Sequence, residues 1–268
     1  MKDEKIPKII HYCWFGGNPK PESVNKYIRT WEKHCPEYKI IEWNESNFDL
    51  NENIYCQEAY EAQKWAFITD YVRLKVLYEY GGFYMDTDVE MIKSLDPLRI
   101  YRAVSGYESP TRIPTGTIGS CRDNEWIGLL LRYYDNRHFL REDGTFDLTT
   151  NVKVITEMTS QKYNLSLDGK KKKFGTNMIL LPFDYLCAKD LDTGEVKITE
   201  NTFTVHHFSG SWLSDEDRYA NQLKSEIAYI LPKKYSSYLA KYISVIKYHG
   251  IIYANKQIIA WLQRKKKD

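Results

Sequence analysis

The sequence predicts an α/β fold with a mainly parallel sheet, followed by a helical segment towards the C-terminus. Short apolar strands alternate with helices from Lys8 to Met85, which is the chain order of parallel sheets. The 268 residues suffice for one large domain with a small appendage, and 43% of them are hydrophobic, as in ordinary globular proteins. We expect one domain over residues 1–225 and a basic, aromatic helical extension over residues 226–268.

The individual elements follow from the spacing of apolar residues and from turn-forming residues. In chain order, the pattern predicts a strand at 8–12, a helix at 23–34, a strand at 38–43, one long helix at 54–80, a strand at 83–85, a loop-rich stretch at 109–120, a strand at 205–212 and helices after Pro232. Gly81 and Gly82 end the long helix, because glycine readily adopts the positive φ of a helix C-terminus.

The five cysteines indicate reduced thiols. They are scattered, odd in number and form no CxxC pair, which disfavours a disulfide framework and a zinc cluster. The first residues have no apolar core of signal-peptide length, and no stretch has the roughly 18 consecutive apolar residues of a spanning helix. We therefore expect the protein to be cytoplasmic.

Charge is distributed unevenly along the chain. Residues 233–268 carry nine basic side chains and one acid, a net charge of +8, so the other 232 residues carry −6 of the total +2. Apolar and aromatic residues recur every three to four positions between these basic residues, as in a helix that lies in a membrane interface. An anionic membrane surface is the expected partner of residues 233–268, although the same stripes also suit helices that pack on the domain.

Asp86-Thr87-Asp88 directly follows the predicted strand at 83–85. Two carboxylates one residue apart at a strand end can share a divalent cation, since Mg²⁺ and Mn²⁺ prefer a few carboxylate oxygens together with substrate phosphate. The alternative is a pair of solvated loop acids. The carboxyl end of the sheet favours the metal site, because α/β folds bind ligands there.

Three further groups of residues are candidates, each with a structural alternative. Asp70 and Arg73 share one helix face and form either a ligand-binding pair or a surface ion pair. In His206-His207, one imidazole is a candidate metal ligand, and the alternative is packing. Trp14 after the first strand can stack on a base or sugar, or belong to the core.

Three blocks in this order resemble glycosyltransferase family 32: IPKIIHYCWFGG, AFITDYVRLKVLYEYGGFYMDTDVE and HHFSGSW. That family includes yeast mannosyltransferases and bacterial capsule and lipopolysaccharide transferases. More distantly, the sequence is similar to the catalytic domain of the large clostridial glucosylating toxins. The resemblance covers about residues 6–213, with Ala66 to Glu90 as the most specific block. Within this range residues 101–200 match poorly, and residues 214–268 lie outside the resemblance.

The resemblance implies a GT-A fold, a Rossmann-like nucleotide-sugar-binding domain. It also implies a nucleotide-sugar donor, Mn²⁺ or Mg²⁺ as the cofactor, and retention of anomeric configuration. By position, the catalytic residues are Asp70, Arg73, Asp86 and Asp88. Of these, Asp70 and Arg73 would bind the ribose and sugar, Asp86 would contact ribose, sugar and metal, and Asp88 would chelate the metal.

The resemblance assigns the other site residues in the same way. Trp14 would stack on the base and Tyr84 would line the donor site. Ser211 and Trp212 would hold the β-phosphate. His207 would be the third metal ligand, with an acid near that position in the toxins, and Asn151 would face the sugar.

The expected function is a retaining, metal-dependent hexosyltransferase that is peripheral on the inner face of the cell membrane. It would transfer a hexose from a UDP-sugar to a glycan acceptor, lipid-linked, in capsule or surface polysaccharide synthesis. Three alternatives remain open: a GDP-mannose donor, toxin-like transfer to protein hydroxyls, and an inactive sugar-nucleotide or glycan binder. Nucleic acid is not an expected partner, because no RNA-binding motif accompanies the basic residues.

Overall fold

The computed structural model describes residues 5–114, 116–210 and 215–257, and these residues form two compact units. The first unit runs to Lys189 and resumes over Val196–Phe208. The second contains Asp190–Glu195 and the chain from Ser209 onward. The change of unit thus comes earlier in the chain than the boundary that we expected between residues 225 and 226.

Nine strands and eight helices have the following bounds in the described part of the chain. The strands are β1 Ile9–Cys13, β2 Lys39–Trp43, β3 Gly82–Met85, β4 Val89–Met91, β5 Ala103–Ser105, β6 Thr117–Ser120, β7 Lys172–Phe174, β8 Met178–Leu180 and β9 Thr204–His206. The helices are α1 Glu22–His34, α2 Ile54–Glu61, α3 Trp65–Tyr80, α4 Glu125–Leu131, α5 Asn151–Tyr163, α6 Phe183–Leu186, α7 Asp215–Ala228 and α8 Lys233–His249. Residues 251–257 are also helical.

Seven strands form one sheet in the order β2-β1-β3-β6-β5-β8-β7. β1 pairs in parallel with β2 and β3, and β5 pairs in parallel with β8. β6 runs antiparallel to both of its neighbours, and β7 runs antiparallel to β8. All strands of this sheet except β6 and β7 therefore point the same way, which confirms the mainly parallel α/β sheet predicted from the sequence.

The sheet is buried on both faces, because successive strand residues point to opposite sides. In β3, the side chain of Tyr84 joins one hydrophobic cluster, together with Leu74 of α3, while Phe83 and Met85 join the other, together with Trp31 of α1. A strand covered on both faces reads as a continuous apolar run, which is why the sequence reveals β1 and β3 readily.

Two helices, α2 and α3, replace the single helix expected over residues 54–80. Gln63 has a positive φ of 56°, the amide of Lys64 donates to the carbonyl of Ala59, and the amide of Gln63 donates to that of Tyr60. This is the Schellman motif, which ends a helix and satisfies its last carbonyl groups. Glycine usually occupies the positive-φ position, so a glutamine there concealed the break from sequence reasoning.

The stretch at 109–120 is also more ordered than the sequence indicates. Its last four residues form β6, which lies in the middle of the sheet between β3 and β5. Gly119 allows the Phe83 ring and the Val104 side chain to approach, since an added Cβ would lie 2.5 Å from the ring. The sequence TIGS carries no alternating apolar pattern, so only its pairing with β3 and β5 makes it a strand.

The structure also describes the cysteines and the hydropathy of the helices. All five cysteines are free and buried, as expected for reduced thiols. Across the described residues, no helix combines the length and the hydropathy that crossing a membrane requires.

Candidate metal centre

Asp86, Asp88 and His206 meet beyond the carboxyl end of β3. Nε2 of His206 lies 3.2 Å from Oδ1 of Asp88 and 4.0 Å from Oδ2 of Asp86. One potential ligand atom from each residue lies within 4.8 Å of the other two. Two carboxylates and one imidazole suit a divalent cation such as Mn²⁺ and leave coordination positions for substrate oxygens.

Backbone pairing holds these three side chains in place. The amide of Asp86 donates to the carbonyl of Gly116 at 2.9 Å, and the amide of Val89 donates back to the carbonyl of Asp86 at 3.0 Å. The antiparallel pair β4 and β9 then sets Val89 opposite His206. The ligand set is therefore built on a sheet strand and a two-stranded ribbon, both of which are mostly buried.

The electrostatics of His206 depend on its acidic neighbours. Burial by itself would lower the pKa of His206, but the charges of Asp88, Asp86 and Glu108 and the hydrogen bond to Asp88 together raise it. Among the described residues, Nδ1 of His206 has no hydrogen-bond partner, and an added Cβ at Gly116 would lie only 2.7 Å from it. Cation binding requires the neutral imidazole, so a metal ion would compete with a proton for Nε2.

The structure corrects the expectation for His207. His207 points away from Asp86 and Asp88, and its Nε2 lies 2.8 Å from Oε2 of Glu90. Its ring stacks on Tyr27 of α1 at 4.8 Å between ring centroids. Neighbouring residues of an extended chain face opposite sides, so only one of the two histidines can face the carboxylates, and in this register it is His206.

Arg73 links the carboxylates of Asp70 and Asp86. Its two terminal nitrogens lie 3.2 Å from Oδ1 of Asp70 and 3.2 Å from Oδ1 of Asp86. The guanidinium lies over the ring of Tyr84 at 4.6 Å from the ring centroid. Asp70, Arg73 and Tyr84 are all buried, so Asp70 and Arg73 are not the surface ion pair that the sequence left open as an alternative.

The protonation of this cluster reflects burial and opposite charges. Burial raises the pKa of Asp70 to about 7, although the charge of Arg73 acts in the other direction. Burial would lower the pKa of Arg73, but the charges of Asp86, Tyr84 and Asp70 raise it, so the guanidinium stays charged. At neutral pH the Asp70 carboxyl is thus able either to donate or to accept a hydrogen bond from a hydroxyl group.

Asn151, the first residue of α5, reaches the same cluster. Its side-chain amide donates to the carbonyl of Asp70 at 3.5 Å, and its Oδ1 has no hydrogen-bond partner within the described residues. Asn151 is buried, and an unsatisfied buried oxygen is costly. The arrangement leaves one acceptor beside Asp70 unpaired within the described residues.

Trp14 follows β1 at the same edge of the sheet. The parallel register aligns His11 with Tyr84, which brings Trp14 level with Thr87. The ring of Trp14 is partly buried, and its Nε1 donates to the carbonyl of Asn18 at 2.6 Å. Ser211 and Trp212, the two candidates for binding the β-phosphate, lie outside the described residues.

Glu108 is a residue beside this centre that sequence reasoning missed. It lies between β5 and β6, where Ser109 and Arg112 form an isolated bridge. Burial raises the pKa of its carboxyl, while the charges of His206 and Arg112 oppose the shift. No local motif marks Glu108, because its proximity to His206 depends on the path of the β5–β6 loop.

Residues 21–105 match the sequence profile of a family described as "Glycosyltransferase sugar-binding region containing DXD motif". This segment is similar to that sugar-binding region. It contains α3 with Asp70 and Arg73, and it ends after Asp86-Thr87-Asp88 and β4. The match confirms the glycosyltransferase resemblance inferred from the sequence.

Two curated relatives of this glycosyltransferase region come from yeasts. Inositol phosphoceramide mannosyltransferase 3 of Schizosaccharomyces pombe is 31% identical over 149 residues, which are 50% of this chain and 40% of that protein. Mannosyl phosphorylinositol ceramide synthase SUR1 of Saccharomyces cerevisiae is 29% identical over 150 residues, 52% of this chain and 38% of that protein. The chain thus spans about two fifths of the length of these relatives.

A solved structure described as "PaToxG Glycosyltransferase" is 20% identical to the chain. The alignment covers 59% of this chain and 70% of that one, with a TM-score of 0.45.

Proposed function

We propose that the protein is a retaining, metal-dependent hexosyltransferase that moves a hexose from a nucleotide sugar to a glycan acceptor. The observation that carries this proposal is the meeting of Asp86, Asp88 and His206 within 4.8 Å, where the matched sugar-binding region provides both aspartates. A bound cation at these ligands would stabilise the diphosphate as a leaving group. The imidazole ligand favours Mn²⁺ over Mg²⁺, because Mg²⁺ prefers oxygen ligands alone.

The neighbouring residues suit the rest of the donor. Arg73, held by two carboxylates, supplies a fixed positive charge that suits phosphate oxygens, and Asp70 and the unpaired Oδ1 of Asn151 suit sugar or ribose hydroxyls. We assign Trp14 to the nucleobase, since it lies at the same sheet edge, and Tyr84 to the wall beneath Arg73. Ser211 and Trp212 remain proposed ligands of the β-phosphate.

The names of the yeast relatives bear on the identity of the donor sugar. The two yeast relatives are named as mannosyl-transferring proteins, which supports GDP-mannose, the alternative left open by the sequence. A UDP-hexose is the other candidate. Both donors present the same diphosphate to the metal centre, so the described residues suit either one.

The acceptor and the location of the enzyme are proposed together. The names of the yeast relatives contain a lipid, inositol phosphoceramide, and this supports a lipid-linked acceptor. Such an acceptor lies at a membrane, and residues 233–268 with their net charge of +8 suit an anionic membrane surface. We therefore propose a peripheral enzyme on the inner face of the cell membrane that acts in surface polysaccharide or glycolipid synthesis.

The decisive experiment is donor hydrolysis by the purified full-length protein in the presence of Mn²⁺. The panel contains GDP-mannose, UDP-glucose and UDP-galactose, and we expect release of the nucleoside diphosphate from one of them. Asp88→Asn should reduce turnover by about a hundredfold or more, because the departing diphosphate loses its counter-charge. Asp123→Asn, which changes an exposed acid outside the centre, is the matched control.

Two results would contradict the proposal. The first is full turnover in excess EDTA, which would show that no divalent cation is needed. The second is tight donor binding with neither hydrolysis nor transfer to any acceptor extract, which would indicate an inactive sugar-nucleotide binder.

A further inference from the structure

Helix α8 of the second unit presents small residues to its helical neighbour. Ser236, Ala240 and Ser244 are spaced by four positions, share one face and are 0%, 1% and 0% exposed. The hydroxyl of Ser244 donates to the carbonyl of Glu216 in α7 at 2.7 Å. The fully buried positions that the structure describes in this helix are thus serine and alanine, while larger residues such as Ile243 and Ile246 are half-buried.

Ten large apolar residues of the same unit are exposed, whereas others, such as Leu223 and Ile243, are half-buried. In the turn between α7 and α8, Tyr229 is 79% exposed and Ile230 is 84% exposed, and Ile252 beyond α8 is 73% exposed. We call the full set the outward surface, and it consists of Tyr229, Ile230, Leu231, Tyr235, Tyr238, Leu239, Tyr248, Ile251, Ile252 and Tyr253.

An ordinary water-exposed helix buries its apolar stripe and exposes polar residues, whereas this unit leaves ten large apolar side chains exposed to water. Apolar side chains exposed in this number mark a site of interaction with a partner or a membrane.

The charges around the outward surface identify the partner. Residues 229–267 contain no Asp or Glu, so every charge that they carry is positive. Lys241 is paired with Glu216 and Asp217, so these two acids of α7 are engaged within the unit. A second copy of the chain would bring two positive surfaces together. An anionic lipid surface instead complements the charge and accepts the apolar side chains.

The chemistry of the side chains favours the same partner. Half of the outward surface is tyrosine, and tyrosine favours the lipid–water interface because its ring is apolar and its hydroxyl is polar. Isoleucine and leucine supply side chains that lose water contact by entering the acyl region.

We propose that the outward surface inserts into the interface of an anionic lipid membrane, with the turn at Tyr229 and Ile230 as its leading edge. This proposal rests on the membrane contact of the proposed function. It assigns that contact to the outward surface, and not only to the basic side chains of residues 233–268. It requires no assumption about the donor or the acceptor.

Flotation of the full-length protein with vesicles tests this surface. The vesicles contain phosphatidylcholine with phosphatidylglycerol, at low salt. We expect Tyr229→Ser/Ile230→Ser to lower the vesicle partition coefficient by about tenfold or more, because most of the leading edge loses its apolar area. Ile100→Ser/Ile198→Ser removes two similarly exposed apolar side chains from the first unit and should leave partition unchanged.

Three outcomes would overturn the proposal. They are a wild-type protein that ignores these vesicles, a Tyr229→Ser/Ile230→Ser variant that floats like the wild type, and a wild-type dimer in sedimentation that this variant disrupts without any vesicle binding. The last result would assign the outward surface to a second copy of the chain.

A site-specific probe provides an independent measurement. Since all five native cysteines are buried, Ile230→Cys offers an accessible thiol for an environment-sensitive fluorophore. Its emission should shift to the blue on addition of the vesicles, whereas a fluorophore at Ile198→Cys should not respond. An unchanged spectrum at position 230 would contradict insertion.

Donor hydrolysis without vesicles separates this inference from the proposed function. Tyr229→Ser/Ile230→Ser should hydrolyse the soluble donor like the wild type. If neither the wild type nor this variant hydrolyses any donor, the proposed function is wrong. Flotation still tests whether the outward surface binds the membrane.

Discussion

At the scale of single residues, the metal centre depends on which of two adjacent histidines faces Asp88. We predict that His206→Ala weakens Mn²⁺ affinity by about tenfold or more, because the cation loses a direct ligand. Titration of the purified protein with Mn²⁺, followed by calorimetry, measures the change.

His207→Ala is the matched control. It removes the neighbouring imidazole, whose ring contacts Glu90 and Tyr27 and not the two aspartates. It should leave Mn²⁺ affinity within about twofold and lower thermal stability slightly. The reverse pattern would show that metal-bound protein adopts the other register at this strand end.

His11 in β1 makes folding stability depend on pH. Its Nε2 donates to the carbonyl of Gly81 at 2.8 Å, and its Nδ1 accepts from Nε1 of Trp43 at 3.0 Å. Burial lowers the pKa of His11 to about 4, so the unfolded chain binds this proton more tightly. The contribution of His11 to stability is complete above its ordinary pKa of about 6.5 and is lost as pH falls towards 4.

We expect the free energy of unfolding to fall by about 2 kcal/mol between pH 7 and pH 5 because of the lowered pKa of His11. Urea denaturation of the wild type and of His11→Gln at both pH values checks the prediction. The variant should be less stable at pH 7 and should lose less of its stability on acidification. Equal losses in the two proteins would show that other groups cause the acid sensitivity.

At the scale of secondary-structure elements, the backbone just before β6 packs against the imidazole of His206. Gly116 precedes this strand, and a Cβ at this position would lie 2.7 Å from Nδ1 of His206. We predict that Gly116→Ala displaces the imidazole and lowers Mn²⁺ affinity and turnover together, by about tenfold, while the protein stays folded.

Gly106→Ala is a suitable control in the same connection. Its added Cβ would approach the carbonyl of Leu181 at 3.2 Å, away from the metal centre, and should affect stability alone. Unchanged Mn²⁺ affinity in Gly116→Ala would mean that the His206 ring has room to move without cost.

At the scale of the whole molecule, the five cysteines are all buried and free. Burial raises the pKa of Cys13, Cys35 and Cys56, so these thiols are neither accessible nor ionised near neutral pH. We predict that the native protein reacts with Ellman's reagent only as fast as it unfolds, and that all five thiols react at once in denaturant.

Ile198→Cys provides the positive control for that assay, since it adds one thiol at an exposed position of the first unit. It should react at the rate of a free cysteine. Any native thiol that reacts equally fast in the wild type would contradict the burial of that cysteine.

The sequence by itself determined the α/β class, β1 to β3, the helix end at Gly81 and the position of Asp86 and Asp88 after a strand. These features depend on local apolar spacing and on glycine, so they are visible in short windows of sequence. The family resemblance added the expected donor-binding residues, and the profile match supports the resemblance itself over residues 21–105.

Only the tertiary structure decided which side chains meet. His206 faces Asp88 because β4 and β9 pair in one register across more than a hundred residues of chain, and a shift by one residue would present His207 instead. Arg73 bridges Asp70 and Asp86 because α3 and β3 pack together at one sheet edge. Such pairings connect distant segments, and local sequence patterns carry no information about their register.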